Sequence, residues 1–130
     1  MGEYVANQVI KLMLKKGIQV LHSSLLVLGF TFKENCPDVR NTKVVDIVRS
    51  LEEYHVHITI YDPWANPSIA LKEYGLEVTN ELPSEKYDAA ILAVSHKEFN
   101  GLDLNDLLKA KHVIYDVKGI LDKKLVDGRL

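Results

Sequence analysis

The sequence predicts an α/β protein, a doubly wound and mostly parallel sheet of five strands preceded by the end of a longer helix. Three observations lead to that class. Two apolar runs, 24–30 and 87–94, suit strands buried on both faces, as parallel sheets require. Strand-like and helix-like segments alternate along the chain, the helical ones carrying apolar residues three and four apart. The links are short, with no repeat and no low-complexity linker, so right-handed crossovers would place helices on both faces of the sheet.

Composition narrows the function classes. A chain of 130 residues with 47% hydrophobic content can bury one substantial core, which predicts a single globular unit. Its formal net charge of -2, from 16 basic and 18 acidic residues, lacks the basic excess that would attract nucleic acid or an anionic membrane surface. Any phosphate recognition must therefore be local. The single cysteine, Cys36, cannot form an internal disulfide, and no apolar run approaches the roughly 18 residues of a membrane span. No signal-peptide pattern opens the chain, so the cytoplasm is the expected compartment.

Taken in order, residues 3–16 read as a helix with Val5, Val9 and Leu12 on one face, lysines toward its end, and Gly17 as the C-cap. It starts without a capping residue, which suggests the tail of a longer helix occupying residues 1–18. With its partner elsewhere, Val5, Val9 and Leu12 would be left exposed. The strand 24–30 leads into a helix over about 42–54, with Val44, Ile47, Val48 and Leu51 at one face and Asn41 or Thr42 as N-cap. A second strand, 56–61, closes at Asp62-Pro63, and a helix over 66–74 ends at Gly75. A short edge strand at 77–79, the apolar strand 87–94, a short helix at 104–109 and a last strand at 112–117 complete the pattern. With the first strand central, the spatial order is 3-2-1-4-5, a Rossmann-like arrangement whose topological switch falls between the strands ending near Phe30 and Val94.

Ligands of open parallel sheets gather at that switch, beyond the carboxyl ends of the strands. The loop from 30 to 42 lies there and carries two cations, Lys33 and Arg40. The glycine fingerprint of a dinucleotide loop is absent, because Gly29 stands alone in a long, bulky and charged crossing. Arginine offers a planar fork to phosphate and lysine a mobile point charge. The alternative is that both are solvated, with Asp38 pairing Arg40. Lys118, ending the last strand in Tyr-Asp-Val-Lys-Gly, is a third candidate cation, or else a plain partner of Asp116. His96, at the end of the fourth strand, either touches a ligand or is a capping or solvent-exposed residue. Asp62 stands where a dinucleotide fold places its ribose-binding acid, yet without the glycine loop a turn-forming role suits it better. Cys36 has no legible base, so it reads as loop filler and no catalytic residue is assigned. The five histidines show no metal-ligand spacing, so no metal is expected.

The segment Gly29-Phe-Thr-Phe-Lys-Glu-Asn-Cys-Pro-Asp-Val-Arg-Asn-Thr42 resembles the Gly-x-x-Phe-Lys-x-x-x-x-Asp-x-Arg-x-Ser signature that opens the C-terminal domain of UDP-glucose/GDP-mannose dehydrogenases, in a spelling closest to the enzymes of UDP-N-acetylhexosamines. The resemblance implies that residues 19–130 form a UDP-sugar-binding domain and 1–18 the end of the central helix that builds the homodimer. It implies an NAD-dependent oxidation of the sugar C6 alcohol to a carboxylate in two hydride transfers. Phe32 and Lys33 match the pair on the UDP-sugar, and Arg40 the arginine that reaches NAD. Lys118 falls near a substrate-binding arginine of many relatives, keeping the charge without the fork. The family's glycine-rich NAD domain and catalytic-cysteine segment have no counterpart here, and Cys36 does not occupy the nucleophile's motif, so this chain alone should be inert. Two rival readings are a stand-alone nucleotide-binding module and a receiver-like signalling module. The latter would need an acidic pair after the first strand, where Gly29-Phe30 stands.

Overall fold

The computed structural model describes residues 2–130, so the first residue of the predicted leading segment lies outside it. Helix α1 (Gly2–Lys15) precedes strand β1 (Ser24–Leu28), helix α2 (Val44–Glu52), strand β2 (His57–Tyr61) and helix α3 (Pro67–Tyr74). Strands β3 (Val78–Thr79), β4 (Tyr87–Leu92), β5 (Leu108–Asp116) and β6 (Gly128–Arg129) follow. The sheet runs β3-β2-β1-β4-β5-β6 and every pairing is parallel.

The predicted order holds, with β6 added at the far edge. Two residues containing Gly128 carry no strand pattern. They are strand only because Tyr115 and Asp116 pair with them, and a side chain at Gly128 would press to 2.9 Å from the Tyr115 ring. The expected helix at 104–109 is also corrected. Only Leu104–Leu107 coils, as a 3-10 turn capped by Asp103, and β5 begins at Leu108, which is held in register opposite Tyr87. The β4-to-β5 crossover thus consists of two 3-10 turns, Lys97–Phe99 and Leu104–Leu107.

Strand alternation sorts the core into two sides. Leu25 and Val27 of β1 face α1, α2 and α3, whereas Leu26 and Leu28 face Phe99 and Leu107 of the crossover and Leu108 at the start of β5. Helix α1 is not an unpartnered tail: Val5, Ala6, Val9, Ile10 and Met13 are buried against Leu25, Ile91, Val113 and Tyr115, and only Leu12 of the predicted face stays half-buried. At the start of α1, Gly2 lets the helix lie directly on α2, since a Cβ there would meet the Asp46 Cβ at 2.5 Å. At its other end Lys16 forms an ion pair with Asp127 at 2.6 Å. No helix among the described residues is long and apolar enough to cross a membrane.

Candidate functional site

The carboxyl end of β1 is built around a close approach that only glycine permits. Gly29 has φ 98°, and a Cβ there would sit 2.5 Å from the Val94 Cβ. On the β4 side Ala93 and Val94 both donate their N–H groups to the Leu28 carbonyl, at 2.9 and 3.3 Å. The two strand ends are therefore joined where the strand order reverses, and the chain from Phe30 to Thr42 leaves from that joint.

A fully buried carboxylate at the end of β2 holds the start of this loop. Asp62 Oδ2 accepts from the N–H groups of Phe30 at 2.6 Å and Thr31 at 3.0 Å, while Oδ1 accepts from Trp64 at 2.7 Å and Ala65 at 3.0 Å. Burial pushes this carboxyl up, but the hydrogen bond from His96 and the backbone donors outweigh it and leave its pKa below the ordinary value. His96 is fully buried, which corrects the expectation of a solvent-exposed residue; it stands at the cap position of the Lys97–Phe99 turn without a side-chain capping bond. Its Nε2 is 2.9 Å from Asp62 Oδ2 and 3.0 Å from Thr31 Oγ1, and its Nδ1 accepts the Asn35 N–H at 2.9 Å. Further along, the Phe32 N–H donates to the Asp38 carbonyl at 2.7 Å, and the Tyr74 hydroxyl donates to the Val39 carbonyl at 2.7 Å.

This framework opens on a crevice of about 170 Å³ beside the switch point. Buried Val44, Ile47 and Val94 lie inside it, and Phe32, Lys43 and Lys118 are its exposed residues. Phe32 is 54% exposed, a large apolar ring presented to solvent by a tethered loop. Neither lysine enters an ion pair among the described residues. Lys118 is free because Asp116, its expected partner, is fully buried and accepts from the backbone N–H groups of Lys118, Gly119 and Leu121 instead. Two unpaired cations, Lys43 at the cap of α2 and Lys118 just after β5, flank the crevice and form a place for an anion. The volume falls below the roughly 300–1,000 Å³ of a complete small-molecule site. A ligand the size of a nucleotide sugar would be held here by one part only.

The match to known proteins agrees with this geometry. Residues 26–123 match the UDP binding domain of the UDP-glucose/GDP-mannose dehydrogenase family. The chain belongs to that family. This UDP-binding domain is 47% identical over 133 residues to the UDP-N-acetyl-D-glucosamine 6-dehydrogenase of Salmonella typhi, and 40% identical over 124 residues to Protein CapL of Staphylococcus aureus. All of the chain aligns with the first of these and 94% with the second, yet it spans only 31% and 29% of their lengths. Among solved structures, an NDP-N-acetyl-D-galactosaminuronic acid dehydrogenase from Methanosarcina mazei superimposes with a TM-score of 0.81 at 19% identity, over 93% of this chain and 26% of that one. A UDP-D-ManNAc dehydrogenase from Pyrococcus horikoshii superimposes with a TM-score of 0.76 at 18% identity, over 98% of this chain and 30% of that one. Both share the fold.

Within the family domain the sequence candidates separate. Phe32 and Lys118 meet at the crevice, whereas Lys33 is exposed beside it and does not line it. Arg40 is exposed and bonded to Asp38, with Nε 3.1 Å from Oδ1, so the pairing alternative is the one seen; that bond lowers the Asp38 pKa. Cys36 is half-buried within the loop. Lys43 carries no motif of its own, and its one sequence signal is its place at the start of a helix that follows a strand.

Proposed function

We propose that this domain holds the UDP end of a UDP-N-acetylhexosamine in an NAD-dependent 6-dehydrogenase that oxidises the sugar C6 alcohol to a carboxylate in two hydride transfers. The observation that carries the reading is the crevice at the switch point, with Lys43 and Lys118 unpaired beside it and Phe32 exposed at its edge. The lysines supply point charges for phosphate oxygens and Phe32 a flat apolar surface; Lys33, on the mobile end of its side chain, reaches the same ligand from outside. The named relatives point to the N-acetylhexosamine class.

NAD, when bound, supplies the hydride acceptor. The residues here do not form a dinucleotide cradle, since the crossing after Gly29 is bulky, so this domain's share of NAD is Arg40, released from Asp38. Substrate and cofactor are completed by the remainder of a longer enzyme, whose homodimer includes α1. This chain has no catalytic residue and is inert by itself.

Titrating the chain with UDP, UDP-N-acetylglucosamine and NAD, while following backbone amide shifts at 30–43, tests the reading. Saturable shifts are expected with both uridine nucleotides, and Lys33→Ala or Lys118→Ala should weaken UDP binding by about 1.5–3 kcal/mol, the worth of a charged hydrogen bond. Unchanged affinity in both variants would remove Lys33 and Lys118 from substrate binding.

A further inference from the structure

We propose that His96 is a positioning residue that holds the Phe32–Lys33 loop in its ligand-facing arrangement only as the neutral Nε2–H tautomer. The hydrogen-bond pattern admits one arrangement of protons. The Asn35 N–H points at Nδ1, so Nδ1 must carry a lone pair. The Thr31 hydroxyl donates to the Lys33 carbonyl at 2.9 Å, so its oxygen is an acceptor toward the ring. The Nε2 hydrogen therefore lies between Asp62 Oδ2 and Thr31 Oγ1. Asn35 in turn uses its side-chain Oδ1 to accept the Lys97 N–H at 2.9 Å, which closes the loop onto the segment carrying His96. Asn35 sits at φ 54°, a left-handed conformation that such tethering sustains. Phe32 and Lys33 lie between the two anchored points, Thr31 and Asn35.

A second proton on the ring would set two N–H groups against each other at Asn35 while strengthening the pair with Asp62. The loop then loses its anchor and the ring keeps its carboxylate. Among the described residues Asp62 is the one charged group bonded to the ring. The Trp64 and Phe99 rings pack against it at 6.1 and 5.5 Å. Its charged neighbours are engaged elsewhere, Lys97 over the Trp64 ring and Glu98 accepting from Trp64 Nε1. The consequence is a binding site whose geometry follows the charge of a residue that does not line it.

The identity of the ligand rests on the proposed function; the anchor does not. The test is nuclear magnetic resonance of the imidazole nitrogens and the Asn35 amide across the His96 titration, with UDP-N-acetylglucosamine affinity measured at each pH. A UDP-sugar is the suitable probe because its diphosphate is already fully ionised across the neutral range, so a change in affinity there does not come from the ligand. The expected result is an Nε2–H tautomer, an Asn35 amide that moves at the imidazole midpoint, and about tenfold weaker binding once the ring is charged, the worth of one hydrogen bond. His96→Gln, which keeps a donor near Asp62 and loses the acceptor for Asn35, should bind weakly with a flat pH profile. His96→Asn, which retains that acceptor, should bind better than His96→Gln. An Nδ1–H tautomer, or an Asn35 amide indifferent to the titration, overturns the anchor. Failure to bind the UDP-sugar at any pH sinks the proposed function instead, and the Asn35 readout still decides the anchor.

Discussion

Asp62 has no exposed surface and yet accepts from four backbone N–H groups and from His96. A buried carboxylate is tolerable only with such partners, and here they are the start of the 30–42 loop and the turn after β2. Asp62→Asn, which aims an amide N–H at donors, should cost roughly 3 kcal/mol or more in urea unfolding at pH 7. The sign of its pH dependence follows from its lowered folded-state pKa. Stability from this group is complete above the unfolded value of about 3.9 and is lost as pH falls through the lower folded value. Melting curves should therefore show an acid limb below about pH 4 that is shallower in Asp62→Asn. An unchanged limb would mean the acid loss arises elsewhere. The sequence showed Asp62-Pro63-Trp64 as a turn, and Trp64 and Ala65 confirm it. The bonds to Phe30, Thr31 and His96 were not legible because those partners are 31 to 34 residues away in the chain.

At the scale of elements, α3 was the most legible, since each of its boundary signals is local. Asn66 Oδ1 accepts from Ser68 and Ile69, Pro67 opens the helix, and Gly75 closes it at φ 69° with its N–H on the Leu71 carbonyl. Asn66→Ala should cost about 1 kcal/mol and lower the melting temperature by roughly 3–5 °C. No change in calorimetry would show that the cap adds nothing. For α2 the expected cap is displaced: Lys43 takes the cap position without a side-chain bond, and Thr42 Oγ1 accepts from Val44 at 3.2 Å. The 104–109 segment misled because Leu104, Leu107 and Leu108 repeat at helical spacing. Leu108 is claimed by the strand ladder opposite Tyr87, and tertiary pairing outweighs a single turn's propensity.

For the molecule as a whole, the two sheet faces are covered unequally: three helices pack on one, and two 3-10 turns with their loops on the other. Much of the core depends on α1, which supplies five buried residues to the cluster around Leu25, Ile91, Val113 and Tyr115. Deleting residues 2–15 should therefore abolish the cooperative thermal transition and produce binding of a hydrophobic dye. A deletion variant that still melts cooperatively within a few degrees of the parent would show that α1 is an appendage. The leading segment is thus part of the domain's own core, whatever else it joins.

The sequence by itself determined the α/β class, the order of the first five strands, the loop after β1 and the family, because apolar periodicity, caps and a contiguous signature are local in the chain. The tertiary structure decided what that loop is tied to: His96 and Asp62 beneath it, Lys43 and Lys118 beside it, Asp38 on Arg40, and β6 at the sheet edge. Those relations join strand ends distant in sequence, and no pattern of spacing encodes which buried donor will meet which acceptor until the strands have paired.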